Sequence, residues 1–184
     1  QGGPDTWFFD KKRSSFGAIF DLGIHKIDLI QYLLSSPAVK VEAKTATLDK
    51  RDSRGKLIDV DDNAFAILQL ANGTIGSINV SWTNYGPIDN ATTIYGDRGV
   101  LKIYDDPAYP IELFSADGSK DLYSQEDLQK VFSIKDSGVI NEFVDAVIKK
   151  RPSILDAEKI LPSMQTVFAA IESSKTGKEA VIGS

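Results

Sequence analysis

The chain has 184 residues, of which 42% are hydrophobic and 26% are charged, a composition typical of a soluble globular protein with its own core. The net charge of -5 and the lack of a basic stripe argue against electrostatic binding of nucleic acid. No cysteine is present, which excludes disulfides, zinc–thiolate sites and cysteine nucleophiles. No apolar stretch has the length of a membrane span and no leader pattern is present, so we expect a cytoplasmic protein.

The first residues combine an unusual start with an aromatic run. The chain opens with Gln1-Gly2-Gly3-Pro4 rather than methionine, which favours the trailing portion of a longer polypeptide. Processing or a tag remnant would leave the same start. Trp7-Phe8-Phe9 follows, and this run either lines a ligand cleft or anchors the N-terminal segment to the core.

A helix is predicted over residues 20–34, before Pro37. At about 100° per residue, Asp21, His25 and Asp28 lie within about 60° of each other on that helix. Most of the remaining surface of the helix is apolar, which predicts that it is buried against a core and turns its ionisable stripe towards a cleft. Carboxylates beside the only histidine of the chain suit proton transfer near neutral pH.

The same pattern also has a purely structural interpretation, which the helix pattern alone favours. In it, Asp21 caps the helix and His25 is a core histidine with one satisfied hydrogen bond. A metal site would need further carboxylates beside the one imidazole. A serine triad would have to use His25, and no serine lies in a G-x-S-x-G elbow.

The middle of the chain predicts strands. Alternation over 39–45 is typical of a half-buried strand, and the charged segment 49–59 of an exposed loop or hairpin tip. Asp61 and Asp62 most simply start a strand in solvent. The run 64–70 is apolar on both faces, so it needs cover on both sides from helices or a partner subunit. A hairpin turn leads to the next strand, and the further predicted strands are 74–82, 91–95, 99–104 and 110–115.

Two helices are predicted to close the fold, followed by a short strand over 180–182. The first begins after Ser137, and its apolar positions are Val139, Ile140, Phe143, Val144, Val147 and Ile148. The second covers 156–174, and its predicted inward positions are Ile160, Leu161, Met164, Val167, Phe168 and Ile171. The order of elements predicts an α+β fold: an open, mostly antiparallel sheet with helices on one face.

Several segments, taken in order, resemble one protein family. The segment Gly17-Ala-Ile-Phe-Asp21-Leu-Gly-Ile-His25-Lys-Ile-Asp28-Leu resembles the opening of the second domain in the glucose-fructose oxidoreductase / inositol dehydrogenase / MocA (Gfo/Idh/MocA) family. The resemblance continues through residues 61–82, Tyr95-Gly96-Asp-Arg-Gly99-Val-Leu, Glu142-Phe143-Val-Asp-Ala-Val and the last helix. It therefore extends over nearly the whole chain.

The resemblance implies that residues 1–184 are a single C-terminal domain, like that of glyceraldehyde-3-phosphate dehydrogenase, from a two-domain oxidoreductase. Such an enzyme transfers hydride between a sugar, inositol or related polyol and a nicotinamide cofactor. In the family, an N-terminal Rossmann domain holds NAD or NADP and supplies a lysine in a Glu-Lys-Pro motif. That domain is outside this chain, which contains no dinucleotide fingerprint, since residues 95–99 fit a turn between strands. No cofactor-binding residue is assigned here, and the chain alone is expected to be inactive.

The resemblance also implies roles for particular residues. His25 would be the acid/base on the reacting hydroxyl, and Asp21 would orient the substrate or the imidazole. Asp28 matches a position that binds a substrate hydroxyl, and Trp7 is expected to be a further substrate contact. No metal is expected, and the open sheet face implies a homodimer or homotetramer. Ser15-Phe16-Gly17 keeps only the last of three glycines common in the family, so the edge of the cleft is expected to differ.

Two alternatives belong to other functional classes. One is a non-catalytic binding or assembly module of the same fold, which predicts that the upstream sequence lacks the Glu-Lys-Pro lysine or the glycine fingerprint. The other is a carboxylate-rich metal hydrolase, which predicts a divalent ion at His25.

Overall fold

The computed structural model describes residues 4–132 and 137–183. Its strands are β1 (Ala38–Ala46), β2 (Asn63–Leu70), β3 (Ile75–Ser81), β4 (Thr92–Gly96), β5 (Gly99–Ile103), β6 (Ile111–Ser115), β7 (Lys120–Tyr123) and β8 (Ala180–Val181). Its helices are α1 (Lys11–Ser14), α2 (Ile24–Leu34), α3 (Gln125–Phe132), α4 (Val139–Lys149) and α5 (Ala157–Thr176). A 3-10 turn (Trp7–Phe9) precedes α1, and a π-helical turn (Ile19–Gly23) runs directly into α2. Residues 1–3, on which the expectation of a longer polypeptide was based, lie outside the described residues.

The chain divides into two compact units. One comprises Gln1–Tyr85 with Asp156–Ser184 and contains the antiparallel sheet β3-β2-β1-β8. The other comprises Gly86–Leu155 and contains the antiparallel sheet β4-β5-β6-β7. The predicted α+β class is confirmed, with two sheets where the sequence pattern suggested one. Pro87 lies between β3 and β4, and proline cannot donate to a strand ladder, which helps to separate the two sheets. None of the helices in the described part is both long and apolar enough to cross a membrane.

Strand β2 alternates between a buried face and an outward face. Ala64, Ala66 and Leu68 are buried in the main core. Phe65 and Ile67 point the other way and remain 48% and 44% exposed. The chain's own core therefore covers one face of the strand, whereas the outward face carries half-exposed apolar side chains. The hairpin to β3 is confirmed.

Helix α5 meets the sheet through small side chains rather than through the large apolar residues that its pattern suggested. Val167 is buried as predicted, but Leu161 and Phe168 are 51% and 45% exposed. The buried positions of the helix are Ser163, Thr166, Val167, Ala170 and Ser173. Small side chains allow close packing against the neighbouring elements. The Ser173 hydroxyl, for example, accepts a hydrogen bond from the backbone N–H of Ala43 in β1 at 3.0 Å.

In the second unit, Arg151, which follows α4, forms an ionic cluster with two carboxylates of that helix. The Arg151 guanidinium donates two hydrogen bonds to Glu142, at 2.9 and 2.7 Å, and one to Asp145 at 3.0 Å. Hydrogen bonding from Arg151, with support from the backbone N–H of Ile154, lowers the pKa of Glu142 to about 2. The apolar side chains predicted for this helix are exposed: Val139, Ile140, Phe143, Val144, Val147 and Ile148.

Candidate functional site

The helix that carries the candidate site is tied at its start to the segment before β2. The Asp61 carboxylate accepts hydrogen bonds from the backbone N–H groups of Gly17, at 3.1 Å, and Ile19, at 2.8 Å. The backbone carbonyl of Asp61 accepts a third bond, from the N–H of Ala18 at 2.8 Å. These bonds satisfy donors at the start of the helix. The structural interpretation gave this capping role to Asp21, and that assignment is wrong.

Gly17 is required by this close approach. A Cβ atom at residue 17 would lie 1.9 Å from the Asp61 carbonyl oxygen and 2.6 Å from its nitrogen. Both neighbours are backbone atoms, so neither can move aside without shifting the chain. The glycine that this sequence retains from the family triplet is therefore the one that permits the contact between the site helix and Asp61.

Asp62 organises the neighbouring loop, and the expectation that it lies in solvent with Asp61 is wrong. It is fully buried, and its carboxylate accepts bonds of 2.8 Å from the backbone N–H groups of three consecutive loop residues, 48–50. Burial raises the pKa of Asp61 above its ordinary value. Burial also acts to raise the pKa of Asp62, but the three backbone donors outweigh it, and the net pKa is lowered.

Asp21 lies in the π-helical turn rather than in regular α-helix. Turns of this kind occur mostly as short insertions in helices, frequently at functional sites. The half-buried Asp21 carboxylate accepts a hydrogen bond at its Oδ2 from the indole N–H of Trp82, at 3.0 Å. Trp82 is 3% exposed and directly follows β3. The hydrophobic core therefore orients this carboxylate through a single donor.

An aromatic cluster links the N-terminal run to the same tryptophan. Trp7 stacks on Phe8 with ring centroids 4.1 Å apart, and Phe8 meets the Trp82 ring edge-on at 6.3 Å. Phe9 is buried and lies 5.7 Å from the Trp82 ring. The run thus anchors the N-terminal segment to the core. Trp7 itself remains 46% exposed and is connected through Phe8 to Trp82, the residue that bonds to Asp21. Its assignment as a substrate contact stays a prediction.

His25 is exposed on the first turn of α2. Within the described part of the chain, no residue hydrogen-bonds to its imidazole. The interpretation as a satisfied core histidine is therefore wrong, since a buried, bonded ring is what that interpretation required. The exposed ring is accessible to a ligand.

Asp28 follows three residues after His25, on the same side of α2. It is half-buried, and its Oδ1 accepts a hydrogen bond from the hydroxyl of Ser163, at 2.9 Å. Ser163 belongs to α5 and is fully buried. Each carboxylate assigned to the site is therefore held by a donor from another part of the fold. Trp82, just after β3, donates to Asp21, and Ser163 of α5 donates to Asp28.

At the start of the site helix, Phe16 lies at a position where the family resemblance predicts glycine. Its ring stacks on Phe20 at 5.3 Å and meets Phe168 of α5 at 5.6 Å. Ser15, also in place of glycine, has a φ of 67°, a value that L-residues rarely adopt. The expected difference at this edge is thus an aromatic trio where the family commonly has glycine.

Trp82 and Ser163 belong to the candidate site, although the sequence does not point to either of them. Trp82 closes the long segment 61–82 that resembles the family, but no local pattern connects it with Asp21. Nothing in the sequence around Ser163 marks it. Among the described residues, no group of three or more His, Asp or Glu side chains lies close enough together to hold a metal ion.

Comparison with known proteins identifies relatives of this chain. A family model for the GFO/IDH/MocA C-terminal domain matches residues 1–102. Levoglucosan dehydrogenase of Pseudarthrobacter phenanthrenivorans is 26% identical over 115 residues, which cover 53% of this chain and 30% of that protein.

Solved structures of the same fold cover almost the entire chain. An oxidoreductase domain protein from Kribbella flavida matches 99% of this chain and 56% of its own, with a TM-score of 0.79 and 18% identity. A levoglucosan dehydrogenase in complex with NADH and levoglucosan matches 99% of this chain and 55% of its own, with a TM-score of 0.75 and 18% identity. At these identities the structures establish the fold alone.

The chain thus spans about half the length of these solved relatives, and the matched segment of levoglucosan dehydrogenase is under a third of that protein. The family model covers more than half of this chain, including the site helix, the hairpin and the Asp61–Asp62 pair. The chain belongs to the GFO/IDH/MocA C-terminal domain family.

Proposed function

We propose that residues 1–184 form the substrate-binding and oligomerisation domain of a cytoplasmic NAD(P)-dependent oxidoreductase. The reaction is hydride transfer between a sugar, inositol or related polyol and the nicotinamide cofactor. One observation carries the proposal: the exposed imidazole of His25, which no described residue bonds, follows one carboxylate and precedes another along the same helical segment, Asp21 and Asp28, each half-buried and held by a buried donor. The likeness to a levoglucosan dehydrogenase supports a sugar as substrate.

The residues present fit the reacting end of such a site and leave the cofactor's phosphates to the rest of the protein. A dinucleotide pyrophosphate is held by a glycine-rich turn between a strand and a helix. In the part of the chain that the structure describes, Gly96 and Gly99 instead pair across the β4–β5 hairpin. The bound nicotinamide would supply the hydride acceptor or donor. What the chain contributes is the binding of hydroxyls and the handling of the proton.

In the proposed oxidation, His25 takes the proton from the hydroxyl oxygen, while the carbon that bears this oxygen loses hydride and becomes a carbonyl. Asp21, with Oδ2 held by Trp82, orients the substrate or the protonated imidazole through its other oxygen. Asp28 accepts a hydrogen bond from a second hydroxyl of the substrate. The exposed ring of Trp7 packs against the carbon face of the sugar.

The test uses the full-length oxidoreductase that contains this chain, with levoglucosan, glucose and inositol offered in turn with NAD and with NADP. We expect turnover with at least one pair, and a kcat lower by about 10²- to 10⁴-fold in His25→Asn, the usual contribution of a general base. Leu33→Ala, on the same helix, is the control and should retain kcat. Full activity in His25→Asn would end the catalytic assignment.

The non-catalytic alternative makes a different prediction for the same experiment. It requires no turnover with any sugar or polyol, together with an upstream sequence that lacks the Glu-Lys-Pro lysine or the glycine fingerprint. A divalent ion found at His25 by metal analysis would instead favour the hydrolase.

We also propose that the outward face of the first sheet joins copies of the chain into a dimer or tetramer. Phe65 and Ile67 form its apolar centre, and the register places Lys44 beside Phe65 and Glu42 beside Ile67. Opposite charges flanking an apolar centre suit a two-fold interface, in which each charge meets its opposite on the other copy. We expect Ile67→Lys to lower the molar mass measured by light scattering. Ile88→Lys, at a residue 97% exposed, is the control, and an unchanged mass in Ile67→Lys would refute the interface.

A further inference from the structure

A chain of buried hydrogen bonds leads from the start of β1 to the site helix. The backbone N–H of Ala38 donates to Oε1 of Gln31 at 2.7 Å, and Nε2 of Gln31 donates to the hydroxyl of Ser163 at 2.9 Å. The Ser163 hydroxyl then donates to Oδ1 of Asp28 at 2.9 Å. Gln31 is 8% exposed and Ser163 is fully buried.

The direction of every hydrogen bond in this series follows from the first donor, the backbone N–H of Ala38. A backbone N–H can only donate, so Gln31 must turn its carbonyl oxygen towards Ala38 and its amide nitrogen towards Ser163. The amide nitrogen can also only donate, so the Ser163 oxygen accepts and its proton is left for Asp28. The fold therefore requires an acceptor at residue 28, which a carboxylate provides.

Packing alone does not account for these polar side chains. Burying an amide and a hydroxyl between two helices has a cost that hydrogen bonds offset, whereas apolar groups of the same shape can be about as stable. The other buried polar positions of α5, Thr166 and Ser173, bond to backbone groups, whereas the Ser163 hydroxyl donates to a side chain. The series of hydrogen bonds ends at Asp28, one of the two carboxylates assigned to the site.

We propose that Ser163, itself held by Gln31, is a positioning residue that fixes the Asp28 carboxylate for ligand binding. The bond at Oδ1 leaves Oδ2 to accept a hydrogen bond from a hydroxyl of the ligand, since no other residue in the described part of the chain bonds to Asp28. The functional part rests on the proposed function, which makes Asp28 a substrate contact. The structural part concerns the rotamer of Asp28 and stands without a substrate.

The first arm of the test measures the rotamer of Asp28 in the 184-residue chain by NMR three-bond couplings. We expect one χ1 well in the wild type and averaging over the staggered wells in Ser163→Ala. Ser173→Ala is the matched control: Ser173 is also buried in α5, accepts from Ala43 N–H and donates to the Lys178 carbonyl. It should destabilise the chain while leaving the Asp28 couplings unchanged. Unchanged couplings in Ser163→Ala, or equal averaging in both variants, would overturn the proposal.

A second variant keeps this arm decisive if Ser163→Ala folds poorly. Gln31→Met retains the volume of residue 31 but removes the donor that orients Ser163, so we expect partial averaging at Asp28. Retention of a single Asp28 rotamer in Gln31→Met would remove Gln31 from the proposal.

The second arm measures steady-state kinetics of the full-length oxidoreductase with levoglucosan, glucose and inositol. If Asp28 samples three staggered χ1 wells in Ser163→Ala, only about a third of the molecules hold the binding rotamer. We therefore expect KM to rise about threefold while kcat is retained. Averaged couplings with an unchanged KM would show that Asp28 is positioned but is not a substrate contact, which refutes the functional part. If none of the three compounds is turned over, the proposed function fails, and the couplings still decide whether Ser163 positions Asp28.

Discussion

The indole N–H of Trp82 donates a 3.0 Å hydrogen bond to Oδ2 of Asp21, across 61 residues of sequence. One partner is buried in the core and the other is half-buried in the π-helical turn before α2. The bond therefore gives a carboxylate of the candidate site a fixed orientation that the helix alone does not provide.

Replacing Trp82 with phenylalanine tests this bond. The variant keeps an aromatic ring against Phe8 and Phe9 but loses the donor to Asp21, so we expect the free energy of unfolding to fall by about 1–3 kcal/mol. Chemical denaturation measures the change. Trp7→Phe is the control, because Trp7 donates no such bond and is half-exposed, and it should stay within about 0.5 kcal/mol of the wild type. Equal stability of the two variants would show that the Asp21 bond contributes nothing.

Gly17→Ala should disrupt the start of the site helix. The added methyl would lie 1.9 Å from the Asp61 carbonyl oxygen, so the backbone must move and the cap formed by Asp61 is strained. We expect a loss of about 1–3 kcal/mol or more, measured by thermal or chemical unfolding. Gly76→Ala, in β3, is the matched control because a Cβ there meets no atom within 4 Å. A Gly17→Ala variant as stable as Gly76→Ala would contradict the close approach.

Asp62 should make the chain sensitive to acid. Its pKa is lowered by folding, so its contribution to stability is present above the ordinary value of 3.8 and is lost as the pH falls through the lowered pKa. Asp62→Asn places an amide nitrogen against backbone donors, so we expect a loss of about 1–3 kcal/mol at pH 7. The loss should shrink below pH 3.8, and a constant difference at all pH values would contradict it.

Asp61 provides a comparison of opposite sign at the neighbouring residue. Burial raises its pKa on folding, so its contribution is present below the ordinary value of 3.8 and is lost as the pH rises through the raised pKa. Unfolding of Asp61→Asn, measured as a function of pH, should therefore lack this decline. A profile parallel to that of the wild type would show that folding does not raise the pKa of Asp61.

Glu142 predicts a second acid transition, in the other unit. Its pKa falls from 4.5 to about 2 on folding, because Arg151 donates to it. The stabilisation is present above pH 4.5 and is lost as the pH falls towards 2. In Glu142→Gln, the protection factors of the α4 amides against hydrogen exchange should depend less on pH over this range. Glu126→Gln, which removes an exposed pair with Lys130, is the control and should keep the wild-type profile.

Local patterns in the sequence were sufficient for the elements that carry the site. Turn residues and period-2 alternation predict the β2–β3 hairpin, and apolar spacing predicts the helix that holds His25 and Asp28. These signals act over a few residues, and the structure confirms the hairpin and the helix that they predict. The family resemblance added the order of the segments, and the matching family model confirms it for those within residues 1–102.

Long-range polar contacts were beyond those patterns. Ser163 donates to Asp28 across 135 residues, and the apolar pattern of α5 pointed to Leu161 and Phe168 instead of the small buried face. Adjacent aspartates before a strand look like solvent-exposed residues, but Asp61 and Asp62 are used to satisfy backbone donors of two other segments. Such pairings depend on tertiary structure, which a periodic pattern does not encode.

The π-helical turn at Ile19–Gly23 means that the relation between Asp21 and His25 depends on chain length as well as on side-chain identity. Hydrogen bonds in this turn span five residues instead of four, so the turn accommodates an additional residue. Removing one residue here would allow a continuous α-helix and would change the turn in which Asp21 meets the indole of Trp82. The spacing between Asp21 and His25 is therefore a structural feature in its own right, separate from the identity of either residue.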